Sequence, residues 1–154
     1  MLRLLSSEEI KAILEKYKTI AVVGLSWNPA KESYKVAKYL KAKGYHIIPI
    51  NPFAEAILGE ECYKSLLDVP ETIEVVDIFR PAEDVPPIVD QAIELKRRLG
   101  NPRVIWMQLG IVNEEAAKRA RNANLTVVMD KCMMKEHKRL SRKALRAIKG
   151  KSLK

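Results

Sequence analysis

Five short apolar runs, rich in valine and isoleucine, recur along this 154-residue chain without alternation of apolar and polar residues. A run of this kind is typical of a strand that is covered on both faces, and such strands belong to parallel sheets. Helical patterns separate the runs, so the sequence predicts a three-layer α/β fold with a doubly wound parallel sheet of about five strands. The predicted strands are residues 19–24, 46–50, 74–79, 103–107 and 125–129.

Capping residues mark the boundaries of the predicted helices. Ser6 begins a capping-box sequence, and Asn113 precedes another helical pattern as its cap. Gly44 follows an apolar helical pattern, as a C-terminal cap does. Pro86 and Pro87 are expected in the first turns of their helix. The predicted helices begin near residue 7, span about 34–43, 82–99 and 113–123, and resume from about residue 134.

The length of the chain suits one globular domain. We expect an N-terminal helix over residues 1–18, a main α/β domain over 19–137, and a basic C-terminal helix or tail over 138–154. The apolar runs are far shorter than the roughly 20 residues of a membrane-spanning helix, and the first residues lack a secretory signal pattern. Together with the widely separated cysteines Cys62 and Cys132, these features predict a cytoplasmic protein.

The net charge of +9 is concentrated at one end of the chain. Residues 138–154 carry eight basic side chains and no acidic ones, whereas residues 1–137 carry 20 basic and 19 acidic ones. Binding to nucleic acid or to an anionic surface is therefore an alternative function for the tail alone. The tail contains no aromatic residue that could stack on a base. We expect it to be a solvated terminal helix.

The turn after the first predicted strand carries the strongest signal for a ligand. Open parallel sheets bind ligands at the carboxyl ends of their strands, where the strand order reverses. Gly24 permits a sharp turn there, and free amides at the start of the next helix favour a phosphate group. Ser26, Asn28, Lys31 and Ser33 would add hydrogen bonds and a positive charge. For the two serines and Asn28, helix capping is an equally good interpretation.

The same turn departs from the dinucleotide-binding fingerprint G-x-G-x-x-G. Ser26 and Pro29 stand where the fingerprint requires its second and third glycines. Asn51, at the end of the second predicted strand, replaces the acidic residue that holds the ribose of NAD. These departures weaken the case for an NAD(P)-dependent enzyme, which remains an alternative function.

Several ordered motifs between about residues 20 and 140 resemble those of one known family. They are Val23-Gly24-Leu25-Ser26, Asn28-Pro29, Gly44-Tyr45, Pro49-Ile50-Asn51-Pro52, Leu58-Gly59, Asp77-Ile78-Phe79-Arg80, Trp106-Met107-Gln108-Leu109-Gly110-Ile111 and Cys132. The chain resembles the small stand-alone CoA-binding proteins with a Rossmann-like fold, which are related to the CoA-binding domain of the succinyl-CoA synthetase α subunit. The resemblance implies that this chain binds coenzyme A or an acyl-CoA.

The resemblance also implies three groups of binding residues. Lys31 stands where many members of the family carry arginine, which keeps the charge and loses the bidentate geometry. An acid in place of Asn51 would repel the 3′-phosphate of CoA. The implied contacts are Gly24, Leu25, Ser26, Asn28 and Ser33 for phosphate, Asn51, Pro52, Phe79 and Arg80 for the nucleotide, and Gln108, Gly110 and Ile111 for the pantetheine arm.

The sequence assembles neither a catalytic group nor a metal site. His46 lies in an apolar run, and Cys132 with His137 supplies two ligands where zinc takes three or four protein ligands. Cys132 could face the ligand or be a buried structural thiol. Acyl-CoA synthesis requires domains that 154 residues cannot hold. We therefore expect a ligand-binding protein, and whether it also catalyses a reaction, its acyl group, pathway and oligomeric state stay open.

Overall fold

The structure, a computed structural model, describes the backbone of residues 4–152 and the side chains of residues 4–142. Within that part of the chain there are seven strands and five α-helices. The strands are β1 Thr19–Val23, β2 His46–Ile50, β3 Ala56–Ile57, β4 Glu60–Glu61, β5 Val75–Ile78, β6 Val104–Met107 and β7 Thr126–Val128. The helices are α1 Ser7–Lys16, α2 Glu32–Ala42, α3 Val85–Leu99, α4 Glu114–Asn122 and α5 Met133–Ser152.

Five of the strands form one parallel sheet in the order β2-β1-β5-β6-β7. Val23, the last residue of β1, lies in register with Ile50 of β2 on one side and with Ile78 of β5 on the other. The carboxyl ends of these three adjacent strands therefore finish at one level. The predicted α/β fold with a parallel sheet of five strands is confirmed.

Helices cover the sheet on both faces, which explains why the strands show no alternation. On one face, α1, α2 and α5 contribute Ile10, Leu40 and Met133 to the core. On the other, α3 and α4 contribute residues such as Val89 and Ala117. Since α1 and the start of α5 share a core with the sheet, they are packed parts of one body. The division into three segments stays a prediction.

Several short features were not predicted, among them a 3₁₀ turn at Leu66–Asp68. The two-residue strands β3 and β4 pair as a small antiparallel hairpin, and they are too short to produce a periodic pattern. The helix expected over 82–99 begins with a separate 3₁₀ turn, Ala82–Asp84, before α3. The two prolines fall in the first turn of α3, as predicted, because that turn lacks intrahelical partners for its N–H groups.

The predicted caps are present. The Ser6 hydroxyl accepts the Glu9 N–H at 3.1 Å, and the Glu9 carboxylate accepts the Ser6 N–H at 3.2 Å. Gly44 follows α2 with a φ of +97°, a left-handed conformation. The basic segment is helical as far as Ser152, and the predictions for residues 153 and 154 lie outside the described residues. No helix between residues 4 and 152 is long and apolar enough to span a membrane.

Asn113 links two helices, and its replacement provides a test of the packing between them. Its side-chain oxygen accepts the Ala116 N–H at 2.9 Å, and its amide donates to the Ala82 carbonyl at 2.9 Å. We expect Asn113→Ala to lower the free energy of unfolding by about 1–2 kcal/mol in urea denaturation. Asn113→Asp keeps the acceptor and loses the donor, so it should lie between the wild type and Asn113→Ala. A wild-type value for Asn113→Ala would contradict the capping role.

Candidate functional site

A cleft of about 580 Å³ lies at the carboxyl ends of β1, β2 and β5. The chain leaves β1 through α2 to reach β2 on one side, and it later returns to β5 on the other side of β1. The strand order therefore reverses between β1 and β5, which is where open α/β sheets bind ligands. Five of the predicted site residues line the cleft: Gly24, Ser26, Asn51, Pro52 and Arg80.

Gly24 allows the turn after β1 to lie directly against the turn after β5. Its φ is +86°, and a Cβ atom at this position would lie 2.5 Å from the Phe79 carbonyl oxygen and 2.9 Å from Cδ of Arg80. The backbone is held there because the Gly24 N–H donates to the Ile50 carbonyl at 3.1 Å. The position therefore requires glycine both for its conformation and for its close packing.

The polar side chains after Gly24 stabilise the loop itself. The Ser33 hydroxyl accepts the Ser26 N–H, and the Ser26 hydroxyl accepts the Asn28 N–H, each at 3.0 Å. The carboxamide oxygen of Asn28 accepts the Ala30 N–H at 3.0 Å. These oxygens thus accept amides of the loop and not the first amides of α2. Helix α2 begins after Lys31 without a side-chain cap, and Lys31 is exposed.

Asn51 connects the end of β2 to the turn after β1. Its Nδ2 donates to the Leu25 carbonyl at 2.9 Å, and its Oδ1 accepts the Phe53 N–H at 2.8 Å. An aspartate could not donate the first of these hydrogen bonds, so the amide has a structural reason as well as an electrostatic one. The Leu25 side chain is fully buried, and only its backbone faces this edge of the sheet.

Arg80 brings positive charge to the cleft and has one acidic partner. Its Nη2 lies 2.8 Å from Oδ2 of Asp84, and both side chains are about half exposed. An exposed ion pair of this kind contributes little to stability, so the guanidinium can exchange its partner for a ligand at low cost. The neighbouring Phe79 side chain packs against the core and does not line the cleft.

The predicted contacts after β6 lie outside the cleft. Gln108 is 3% exposed, and its Nε2 donates to Oδ1 of the fully buried Asp77 at 2.6 Å. Burial raises the pKa of Asp77 to about 7, and the hydrogen bond from Gln108 opposes that rise. The Gly110 N–H donates to Asp130 at 2.7 Å, and Ile111 packs against the core on the α3 and α4 side.

Several residues that the sequence did not suggest also line the cleft. Tyr63 pairs with β2 along the outer side of the sheet. Its N–H donates to the Pro49 carbonyl at 3.0 Å, and its carbonyl accepts the Asn51 N–H at 2.9 Å. This pairing brings the following residues, Lys64 and Ser65, into the cleft. Their segment has no periodic pattern, so its position could not be read from the sequence. The added lining residues are Val23, Ile50, Phe53, Lys64, Ser65, Leu66, Asp84, Pro87, Ile88 and Gln91.

The histidines and Cys132 do not line the cleft. His46 begins β2, so it lies at the amino-terminal end of the strand, away from the cleft. Its Nε2 lies 2.7 Å from Oε2 of Glu71. His137, on α5, is hydrogen-bonded to Tyr39. Cys132 is a free thiol, 5% exposed and packed in the core. Among the described residues, no group of three or more His, Cys, Asp or Glu side chains could hold a metal ion.

Comparison with known proteins gives a consistent result. Residues 18–138 match the family model of the CoA binding domain. An uncharacterized protein of Bacillus subtilis, YneT, is 39% identical over 132 residues, which cover 86% of this chain and 94% of YneT. A hypothetical protein from Pyrococcus horikoshii, whose structure is solved, is 42% identical with a TM-score of 0.83; the match covers 91% of this chain and 97% of that one.

A further similarity is to part of a larger enzyme. The ADP-forming acetate–CoA ligase of Methanocaldococcus jannaschii is 38% identical over 74 residues, which are 48% of this chain. Those residues make up 10% of the ligase. The match therefore concerns one segment of the ligase and not its whole length.

Gly24→Ala tests the close packing of the two turns. A left-handed φ and a clash with the Phe79 carbonyl act together, so we expect a loss of about 3 kcal/mol in the free energy of unfolding. Gly100→Ala is the matched control: its φ is +82°, and a Cβ there would meet no atom within 4 Å. The control should lose about 1 kcal/mol. Equal losses in the two variants would contradict the packing argument.

Asp77→Asn tests the buried carboxyl. Since burial raises its pKa from 3.8 to about 7, folded Asp77 holds a proton that the unfolded chain has lost between these pH values. The free energy of unfolding should therefore fall as the pH rises through this window. Asp77→Asn should flatten that fall, measured by urea denaturation from pH 4 to pH 8, with Asp68→Asn on the surface as control. An unchanged pH profile would show that Asp77 is not the titrating group.

Proposed function

This chain belongs to the CoA-binding domain family, and on that premise we propose that it binds coenzyme A or an acyl-CoA in the cleft at the carboxyl ends of β1, β2 and β5. The observation that carries the proposal is the cleft itself. It lies at the reversal of strand order and combines Lys64 and Arg80 with apolar walls. Its volume of about 580 Å³ is within the range of small-molecule sites.

The phosphate groups of the ligand are assigned to the two cations and to the start of α2. Lys64 and Arg80 both line the cleft, and both are exposed enough to reach a ligand. The first turn of α2 offers N–H groups without a side-chain cap, and such amides favour a negative charge. In this arrangement a phosphate replaces Asp84 as the partner of Arg80, and Lys31 approaches from the loop.

The adenine base is assigned to the mouth and inner wall of the cleft. Phe53 is 86% exposed at the mouth, where its ring can stack on a planar base. Ile88 and Gln91 on α3 offer an apolar surface and a polar amide, and Ser65 lies 3.3 Å from that amide. The pantetheine arm then leaves along the turn after β6, past the backbone of Gly110 and Ile111.

The finer part of the proposal is that the chain holds its ligand without transforming it. Both histidines have side-chain partners outside the cleft, His46 with Glu71 and His137 with Tyr39. The polar side chains that line the cleft are two cations, hydroxyls, amides and the carboxylate of Asp84, which is paired with Arg80. A partner protein would then supply any chemistry on the acyl group.

Calorimetric titration with CoA, dephospho-CoA and NADP tests the proposal. We expect CoA to bind, and dephospho-CoA, which lacks the 3′-phosphate, to bind about tenfold more weakly. Lys64→Gln and Arg80→Gln should each weaken CoA binding by about tenfold, because each removes a charge-assisted hydrogen bond. At a CoA concentration 100 times the dissociation constant, the wild type should gain about 2.7 kcal/mol of stability.

Lys118→Gln provides the matched control, since Lys118 is exposed on α4 and does not line the cleft. This variant should keep the wild-type affinity for CoA. Binding of NADP without binding of CoA would overturn the proposal in favour of a nicotinamide-dependent enzyme. Full affinity in both cleft variants would place the ligand elsewhere.

A further inference from the structure

Asp84 is the acidic side chain among the described residues that line the cleft. Its Oδ2 accepts a hydrogen bond from Nη2 of Arg80 at 2.8 Å, so an ion pair lies inside the proposed ligand site. The other cation of the cleft, Lys64, forms no ion pair with any side chain described between residues 4 and 142. An anion can therefore approach Lys64 directly, whereas at Arg80 it meets a carboxylate that is already bound.

Capping of α3 does not account for the position of this carboxylate. Asp84 stands at the N-cap of α3, where an aspartate usually accepts the N–H group of the second or third helical residue. Those residues are Pro86 and Pro87, which have no N–H group to donate. The Asp84 side chain accordingly makes no capping hydrogen bond, and its carboxylate is bound to Arg80 instead.

Backbone contacts fix the place of the carboxylate beside the cleft. Asp84 ends the 3₁₀ turn Ala82–Asp84, and its N–H donates to the Pro81 carbonyl at 2.9 Å. Asn113, which does not line the cleft, holds the same turn because its amide donates to the Ala82 carbonyl at 2.9 Å. The turn is thus anchored on the side away from the cleft, and Asp84 keeps its place beside Arg80.

The Arg80 side chain is held at its stem and exposed at its end. A Cβ atom on Gly24 would lie 2.9 Å from Cδ of Arg80, so the stem packs against the turn after β1. The ion pair with Asp84 is about half exposed. An exposed pair of this type favours the paired state by about fivefold at most. It is strong enough to reduce the binding of an anion at Arg80 and weak enough for a phosphate group to displace.

We propose that Asp84 is an internal competitor of the ligand: it occupies Arg80, and a phosphate group must displace it for CoA to bind. This inference rests on the proposed function, because CoA in the cleft is the ligand concerned. It adds an autoinhibitory role for Asp84, which lowers the affinity for CoA below the value that Lys64 and Arg80 would give without it. An anion that does not displace the carboxylate has only Lys64 as a cationic partner in the cleft.

Two other roles for Asp84 lead to different results. If its negative charge only repelled the phosphate groups, its effect on affinity would not depend on Arg80. If it held the guanidinium in the orientation that the ligand needs, its replacement would weaken binding. Competition for Arg80 requires that replacement of Asp84 tightens binding and that the gain disappears when Arg80 is absent.

Calorimetric titration of the full chain with CoA separates these roles. Asp84→Asn keeps the size of the side chain and removes its charge, so CoA should bind about fivefold more tightly. In an Arg80→Gln background the same replacement should change the affinity by less than about twofold, because the group for which Asp84 competes is gone. In a Lys64→Gln background the gain of about fivefold should persist.

Asp90→Asn provides the matched control. Asp90 is also an exposed aspartate paired with an arginine, since its Oδ1 lies 3.3 Å from Nη1 of Arg119, and it does not line the cleft. This variant should keep the wild-type affinity for CoA. Thermal unfolding checks that each variant is folded, and Asp84→Asn should shift the melting temperature by less than about 4 °C, because an exposed ion pair at a helix end contributes little to stability.

Three results would overturn the inference while CoA binding itself stands. They are an unchanged affinity in Asp84→Asn, weaker binding in that variant, and an equal gain in the wild-type and Arg80→Gln backgrounds. Failure of the wild type to bind CoA would instead reject the proposed function, and this inference with it.

Discussion

The close approach of the turn after β1 to the turn after β5 determines the geometry at the carboxyl ends of the strands. Glycine at position 24 makes this approach possible, because any Cβ there would overlap the Phe79 carbonyl. With the two turns in contact, the space between them is closed, and the open space lies beside them, between β2, the segment after β4 and α3. The cleft is therefore a consequence of backbone packing before any side chain contributes to it. Asn51 then connects the end of β2 to the turn after β1, because its amide donates a hydrogen bond to the Leu25 carbonyl.

The polar residues at this end of the sheet divide into those that stabilise the loops and those that are exposed at the cleft. Ser26, Asn28 and Ser33 satisfy loop amides, and Gln108 is buried against Asp77. A buried carboxyl in a strand costs stability unless it is protonated or hydrogen-bonded, and here one of its oxygens has no partner among the described residues. Lys64, Arg80 and Phe53, by contrast, are exposed at the cleft. Exposed cations and an exposed ring beside the backbone of the two turns are the features that the CoA proposal depends on.

The two edges of the sheet carry different kinds of positive charge. At the carboxyl edge, cations line a concave cleft whose size suits a small molecule. At the amino-terminal end of the strands, the amines of Lys18, Lys43 and Lys138 lie over the rings of Tyr45 and Tyr39.

The sequence by itself determined the elements and the edge of the sheet that carries the site. Unbroken β-branched runs are long enough to identify buried parallel strands, and capping residues such as Ser6 and Asn113 act locally. Gly24, Ser26, Asn51, Pro52 and Arg80 could be predicted to lie at this end of the sheet, since each falls within three residues of the end of a strand. Only the tertiary structure decided the rest. Lys64 reaches the cleft because the preceding residue, Tyr63, pairs with β2. Gln91 reaches it from α3. Lys18, Lys43 and Lys138 come together because three distant segments pack around the rings of Tyr39, Tyr45 and His137. Contacts of this kind depend on how helices and loops are placed over the sheet, and no local pattern in the chain encodes that placement.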